Sequence, residues 1–386
     1  MDKRMFFLSV IVVLLFLMPL IVQLLLPFGY DSFRIWDSVS RAFINSDKPF
    51  YSNINISRVE VGDLAHGTEF EVNRSVTWFT DSRGFRTQES IDDFYDVVIL
   101  GDSTIAGAGL SQEDMLYSVI SNKTGLRVYS MGQVGINRFL SDSRFVLNPP
   151  KVLVFGVLER NMNNIDVLNK SVIVRSKYFF PIKERLVDLL DRSLKLNFIR
   201  KKISPSISSD NLAVNNSTRM VFYDVSLTQQ LTNSFVVTQL VDEISSYNDL
   251  LADRNITLIF LPVPNKETVY YDDLPQNFKN RYSKSNFTSH ISFLTNNAGV
   301  KTVDLLPIYN KEKSQSFLYQ LDDTHWNRDG VLIAADEVIK LMNVSDINHS
   351  VFKKPIVSDL VFELLVYEAF FLLFVLAFLL RIFDRK

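Results

Sequence analysis

Val97-Val98-Ile99-Leu100-Gly101-Asp102-Ser103-Thr104 reads as a short strand running into a sharp turn that carries one hydroxyl. Four consecutive apolar residues, three of them β-branched, suit a strand covered on both faces, as in a parallel sheet. Gly101 lets the chain bend at the end of the strand. Ser103 is then presented at the carboxyl edge, where open α/β sheets keep their sites. Gly-Asp-Ser alone carries little weight. It makes a site only if the chain also supplies a base, an acid to orient that base, and donors for an oxyanion.

Outward from this strand the pattern alternates. Strands are expected at Val97–Leu100, Arg127–Met131, Val152–Val157, Thr257–Leu261 and Lys301–Leu305. Helical periods fall at Glu113–Asn122, Asn137–Val146, Thr228–Leu251, Thr288–Asn297 and Gly330–Met342. Such alternation predicts an α/β fold, a parallel sheet with helices on both faces in a flavodoxin-like sandwich. The expected organisation is a lead-in over 31–95 and a catalytic domain over 96–345, interrupted by a cap insertion over 162–227. The lead-in reads as short strands and loops, and its most pointed segment is Trp78 to Arg86, where Asp81-Ser82-Arg83-Gly84 is turn chemistry between aromatics. Within the insertion Lys183 to Lys202 is amphipathic, either a cap helix or a helix lying on a membrane surface. Ser204 to Ser217 reads as a mobile loop. No internal repeat is present.

The chain has four histidines, and one has a structural argument behind it. His66 and His349 sit in polar loops and His290 in a helix. His325 lies in Leu321-Asp322-Asp323-Thr324-His325-Trp326-Asn327, after the last strand and before the last helix. In a doubly wound sheet that connection can return to the edge that holds Ser103. Asp322 and Asp323 are both candidates to orient the imidazole. Oxyanion donors are sought at the Ser103 amide and at Gly132, just after the second strand, where a glycine allows close approach. At the end of the third strand Glu159 and Arg160 form a charged pair, most simply bonded to each other.

With 386 residues the chain is long enough for one large domain or two small ones, and a formal net charge of -2 gives no hint of a nucleic-acid partner. Cysteine is absent, which excludes disulfides, thiolate metal sites and a cysteine nucleophile. The termini speak to location. Met5 to Tyr30 carries no charge and is long enough to cross a bilayer, so 1–30 is read as an uncleaved anchor with Lys3 and Arg4 on its cytoplasmic side. A second apolar segment over 359–381 is followed by Arg385 and Lys386, which places both termini in the cytoplasm and the body outside. Glu363 and Glu368 within this second segment either reach water at the interface or face a multi-span membrane partner.

Gly101-Asp102-Ser103, the glycine after the second strand and Asp-Asp-Thr-His-Trp-Asn before the last helix together resemble the SGNH (GDSL) superfamily. Within it they resemble the alginate O-acetyltransferase-like branch, whose members often carry a segment similar to Thr80–Arg86 ahead of the Gly-Asp-Ser block. The resemblance implies Ser103 as nucleophile and His325 as base. It selects Asp322 by the superfamily's spacing and Asp323 by the branch's Asp-Thr-His-Trp. The chain departs from the superfamily after Gly156, where an asparagine donor is expected and Val-Leu-Glu-Arg stands instead. Arg160 is then a candidate for contact with substrate or oxyanion. The expected function is an extracytoplasmic O-acetyltransferase of an envelope or exported polysaccharide, in the plasma (inner) membrane. No bound cofactor is expected. The acyl group is to come ultimately from acetyl-CoA through a multi-span membrane-bound O-acyltransferase partner. A glycan or lipid esterase with the same residues, and a non-catalytic scaffold, are the rival readings.

Overall fold

The fold is seen in a computed structural model that describes residues 32–41, 48–90, 93–168, 211–224, 234–344 and 347, with Arg4, Phe7, Ile11, Leu14 and Asp191 besides. In chain order the main elements are α1 (Ile35–Val39), β1 (Asn55–Glu60), β2 (Arg74–Phe79), β3 (Val97–Gly101), α2 (Leu116–Thr124), β4 (Val128–Gly132), α3 (Ile136–Ser141), α4 (Ser143–Leu147) and β5 (Val152–Leu158). There follow β6 (Leu212–Asn215), β7 (Met220–Tyr223), α5 (Ser234–Ala252), β8 (Thr257–Val263), α6 (Lys266–Val269), α7 (Phe287–Asn297), β9 (Lys301–Thr302), α8 (Leu305–Glu312) and α9 (Arg328–Met342).

The five expected strands form one five-stranded sheet in the order β4-β3-β5-β8-β9, every pair parallel. Counted within this sheet the order is 2-1-3-4-5, the flavodoxin-like order, whose topological switch point lies where β3 meets β5. The apolar run of β3 shows why both faces must be covered. Val97 and Ile99 point into a core shared with α2, α8 and α9, whereas Val98 and Leu100 point into a second core shared with α3, α5 and α7. A strand alternates its side chains, so a run without polar residues has no face left for water.

The lead-in is a β1–β2 antiparallel hairpin. Its Val76 and Trp78 pack with Ile35, Phe50 and Tyr51 in a third core that also takes in Ala106, from the turn after Ser103. The lead-in is thus seated on the turn that carries Ser103.

Several sequence expectations need correction. The helix expected over Asn137–Val146 is broken at Asp142, whose carboxylate caps α4 at the Arg144 amide and pairs with the buried guanidiniums of Arg138 (3.1 Å) and Arg144 (3.0 Å). The last strand is only Lys301–Thr302, because α8 begins at Leu305. Residues 212–217, expected in a mobile loop, belong to the β6–β7 hairpin, tied to the loop before α9 that carries His325 by the Val221 amide on the Leu321 carbonyl at 2.8 Å. Of the amphipathic segment 183–202 only Asp191 is described, and its carboxylate accepts the Tyr51 hydroxyl at 3.0 Å.

The chain divides into one unit over Met1–Ile347 and another over Asn348–Lys386. Among the described residues no helix is long and apolar enough to cross a membrane. The two segments expected to do so, 1–30 and 359–381, lie outside the described residues apart from Arg4, Phe7, Ile11 and Leu14.

Candidate active site

Three neighbouring strands end on or near a glycine, and the turn carrying Ser103 lies across them. A Cβ on Gly101 (φ +153°) would stand 2.1 Å from the Gly156 carbonyl oxygen. One on Gly132 would stand 2.5 Å from the Ala106 Cα, and one on Gly156 would meet the end of Ile105 at 2.4 Å. Any side chain at these positions would lift the Ser103–Ala108 turn off the sheet. This is the part Gly132 plays. Gln133 beside it, rather than Gly132 itself, lines the cleft.

Asp102 fastens the turn. Its Oδ1 accepts the Thr104 amide at 2.9 Å, while its Oδ2 accepts the Leu158 amide at 2.9 Å and the Asn161 side-chain amide at 2.7 Å. The carboxylate therefore joins the nucleophile turn to the end of β5, across the switch point, and leaves Ser103 next in line at the carboxyl edge.

His325 arrives from the opposite end of the chain. The loop between α8 and α9 closes on itself through the Gln320 amide on the His325 carbonyl (3.0 Å) and the Asn327 amide on the Leu318 carbonyl (3.0 Å). Asn327 then caps α9 at the Gly330 amide. Within this loop His325 is buried, with Nε2 2.8 Å from Ser103 Oγ and Nδ1 2.5 Å from Asp323 Oδ1. The two adjacent acids separate cleanly. Asp323 faces the ring, whereas Asp322 turns away and accepts the Gly62 amide (2.6 Å), the Val72 amide (3.0 Å) and Arg74 Nη1 (2.7 Å). Asp322 thus braces the lead-in against the base loop and does not touch the imidazole. Burial alone would raise the Asp323 carboxyl, but His325 beside it, then Arg74 and Arg34, outweigh burial and hold it well below the usual carboxylate range.

The expected Glu159–Arg160 pair does not form. Glu159 is buried and accepts the Asn265 amide (2.9 Å) and the hydroxyls of Thr268 (2.7 Å) and Ser285 (2.8 Å). Arg160 instead reaches the base loop, donating from Nη2 to Thr324 Oγ1 at 3.0 Å. The reason is that the chain enters a 3-10 turn over Glu159–Asn164, in which successive side chains diverge by about 120°.

Ser103 and His325 open into a cleft of about 440 Å³. Arg160, Asn161 and Gln133 line one side, and Arg34, Trp36, Asp63 and Leu64 from the lead-in line another. Asn161 directly follows Glu159-Arg160, and nothing in the local sequence marks it for the cleft. The lead-in residues carried no signal, because they reach the cleft only through the tertiary packing of segments far apart in the chain.

A hydroxyl, an imidazole and a buried carboxylate at these distances can pass a proton from Ser103 Oγ to His325 Nε2 while the carboxylate holds the opposite ring nitrogen. Comparison with known proteins agrees with such chemistry. Residues 221–357, which include Asp323 and His325 and begin well after Ser103, match a family model described as an SGNH hydrolase-like domain, acetyltransferase AlgX. That stretch of the chain is similar to an SGNH hydrolase-like domain of the AlgX acetyltransferase type. Such a domain makes it an enzyme of acyl transfer or ester hydrolysis. No curated protein matches. Among solved structures the chain is similar to the lipase/acylhydrolase from Enterococcus faecalis, at 10% identity and a TM-score of 0.32, over 64% of this chain and 94% of that one.

Proposed function

We propose that the chain is a membrane-anchored, extracytoplasmic O-acyltransferase that moves an acetyl group onto a hydroxyl of a cell-envelope or exported polysaccharide. The observation that carries this reading is the contact series Ser103 Oγ–His325 Nε2–His325 Nδ1–Asp323 Oδ1 at 2.8 and 2.5 Å. In the first half-reaction Ser103 Oγ attacks the carbonyl carbon of the acyl donor as His325 takes its proton. The donor's oxygen or sulfur leaves with that proton, and the acetyl group stays on Ser103. In the second half-reaction His325 removes the proton of a sugar hydroxyl, which attacks the acyl-serine. Ser103 is released as the free hydroxyl, and Asp323 stabilises the imidazolium in both halves. The oxyanion is met by the Ser103 amide and Arg160, with Asn161 holding a second amide hydrogen beyond the one given to Asp102.

The apolar segments at the two ends, with Lys3, Arg4, Arg385 and Lys386 flanking them, support an extracytoplasmic domain. The acyl donor then has to be handed across from cytosolic acetyl-CoA by a multi-span membrane-bound O-acyltransferase, with Glu363 and Glu368 as candidate contacts. The test is Ser103→Ala in the membrane-inserted full chain, with polymer acetylation read by the acetyl signal in NMR. Loss of acetyl groups at normal protein level is expected, and normal acetylation would refute the reading. Purified protein with a chromogenic acetyl ester and oligosaccharide then separates transfer from release. Acetate release without acetylated sugar would turn the assignment to an esterase.

A further inference from the structure

Two fully buried cations flank the site, and neither lines its cleft. Arg86, the last residue of the Asp81–Arg86 segment, spends its guanidinium on the region just after Ser103. Nη1 donates to the Gly107 carbonyl, Nη2 to the carbonyls of Leu110 (2.5 Å) and Thr77 (3.0 Å), and Nε to Gln112 Oε1 (3.0 Å). The group lies 3.7 Å from the centre of the Trp78 ring. Lys266, at the start of α6, does the same for the base loop. Its Nζ donates to the carbonyls of Gln320 (2.7 Å), Leu321 (2.9 Å), Asp323 (3.0 Å) and Val221 (2.7 Å).

Among the described residues neither cation forms an ion pair within 4 Å, and burying a charge without a counter-ion is expensive. The carbonyls they gather belong to the two segments that must meet. Those segments are also tied to each other. Gln320 Nε2 donates to the Gly109 carbonyl at 3.2 Å, beside a turn that the Ala108 amide closes on the Ser103 carbonyl at 3.2 Å. A run of hydrogen bonds therefore leads from Arg86 through the nucleophile turn and Gln320 to Lys266.

We infer that Arg86 and Lys266 are positioning residues, a pair of buried cations that set the separation of Ser103 from His325 by holding the backbone carbonyls of their two loops. The inference rests on the reading of Ser103 as nucleophile and His325 as base. Its physical basis is that a shift of about 1 Å between reacting groups can lower a rate about 10²-fold. Lys266 adds a signature of its own. Burial brings it down to about 8, against the pull of Glu267 on its own helix, Asp323 and Asp322 in the base loop and Asp63 in the lead-in. Above that pH the ammonium loses one of three N–H donors and turns a lone pair toward carbonyl oxygens. The hold on the base loop weakens there, although relief of the buried charge makes this group's contribution to stability rise from pH 8 to 10.5.

The experiment measures phosphonylation of Ser103 by a fluorophosphonate probe, with fluoride as leaving group, together with kcat and KM on a chromogenic acetyl ester from pH 6 to about 10. It compares the full chain with Lys266→Met, Arg86→Lys, Ser103→Ala and the milder Gln320→Ala. Labelling and kcat are expected to fall about 10–100-fold in Lys266→Met and Arg86→Lys and about 3–10-fold in Gln320→Ala, with KM within about twofold. The alkaline fall in kcat near pH 8 is expected to vanish in Lys266→Met. Wild-type labelling rates in the folded variants would overturn the inference while leaving the Ser103 assignment standing. An unlabelled native protein would remove that assignment instead, and the inference with it. Should Lys266→Met fail to fold, an unchanged Gln320→Ala together with a native profile flat through pH 8 overturns the inference.

Discussion

Substituting the adjacent acids Asp322 and Asp323 one at a time should produce two different kinds of damage. In Asp323→Asn the side chain keeps its shape, but the charge that stabilises the imidazolium disappears, and an amide replaces the acceptor 2.5 Å from His325 Nδ1. Loss of the corresponding carboxylate in a serine–histidine–aspartate site lowers kcat about 10⁴-fold, or about 5.4 kcal/mol of transition-state stabilisation. In Asp322→Ala the ring keeps its partner, but the Gly62 and Val72 amides and Arg74 lose theirs. Removing one partner of a buried ion pair costs about 3–5 kcal/mol. The lower end applies here, because Arg74 Nη2 still lies 3.8 Å from Asp323 Oδ2. Ester turnover at saturating substrate and the denaturant midpoint, measured on the same preparations, separate the two effects. Asp323→Asn should be nearly inactive but folded, and Asp322→Ala should be destabilised but within about tenfold of native kcat once folded. The reasoning fails if folded Asp322→Ala is the inactive variant and Asp323→Asn turns over normally.

Three further outcomes follow from the same geometry. Gly132→Ala forces a Cβ to within 2.5 Å of the Ala106 Cα, so it should destabilise by about 1–3 kcal/mol and lower kcat by displacing the nucleophile turn; a native melting curve would contradict this. Arg160→Ala should lower kcat about 10²-fold if the guanidinium meets the oxyanion, whereas a loss below about threefold would leave it a structural part, its bond to Thr324 included. Because Asp323 is held below its ordinary value, its stabilisation is full above its unfolded value of about 4 and is lost as pH falls below it. Acid unfolding of Asp323→Asn should accordingly depend less on pH below about 4 than that of the native protein, and parallel curves would show that Asp323 contributes nothing there.

What was legible in the sequence was whatever depends on local pattern. Four strands of the sheet are the largely apolar runs that a doubly covered parallel sheet requires, and the structure places all five expected strands in that sheet, the last cut down to Lys301–Thr302. Gly101-Asp102-Ser103 and the His325 loop were legible for a related reason, since a turn at a strand end and a polar loop before a capped helix are short-range features. The break at Asp142 was hidden because it depends on two buried arginines that a helical period does not register. Asp322 and Asp323 could not be told apart by composition or by spacing. Both lie in a run of turns and bends, where only the packing of the lead-in decides which of them meets the ring. Lys266 and Arg86 are the extreme case. In sequence they are two cations among 41, and their place beneath the loops of Ser103 and His325 exists only once segments from opposite ends of the chain have come together.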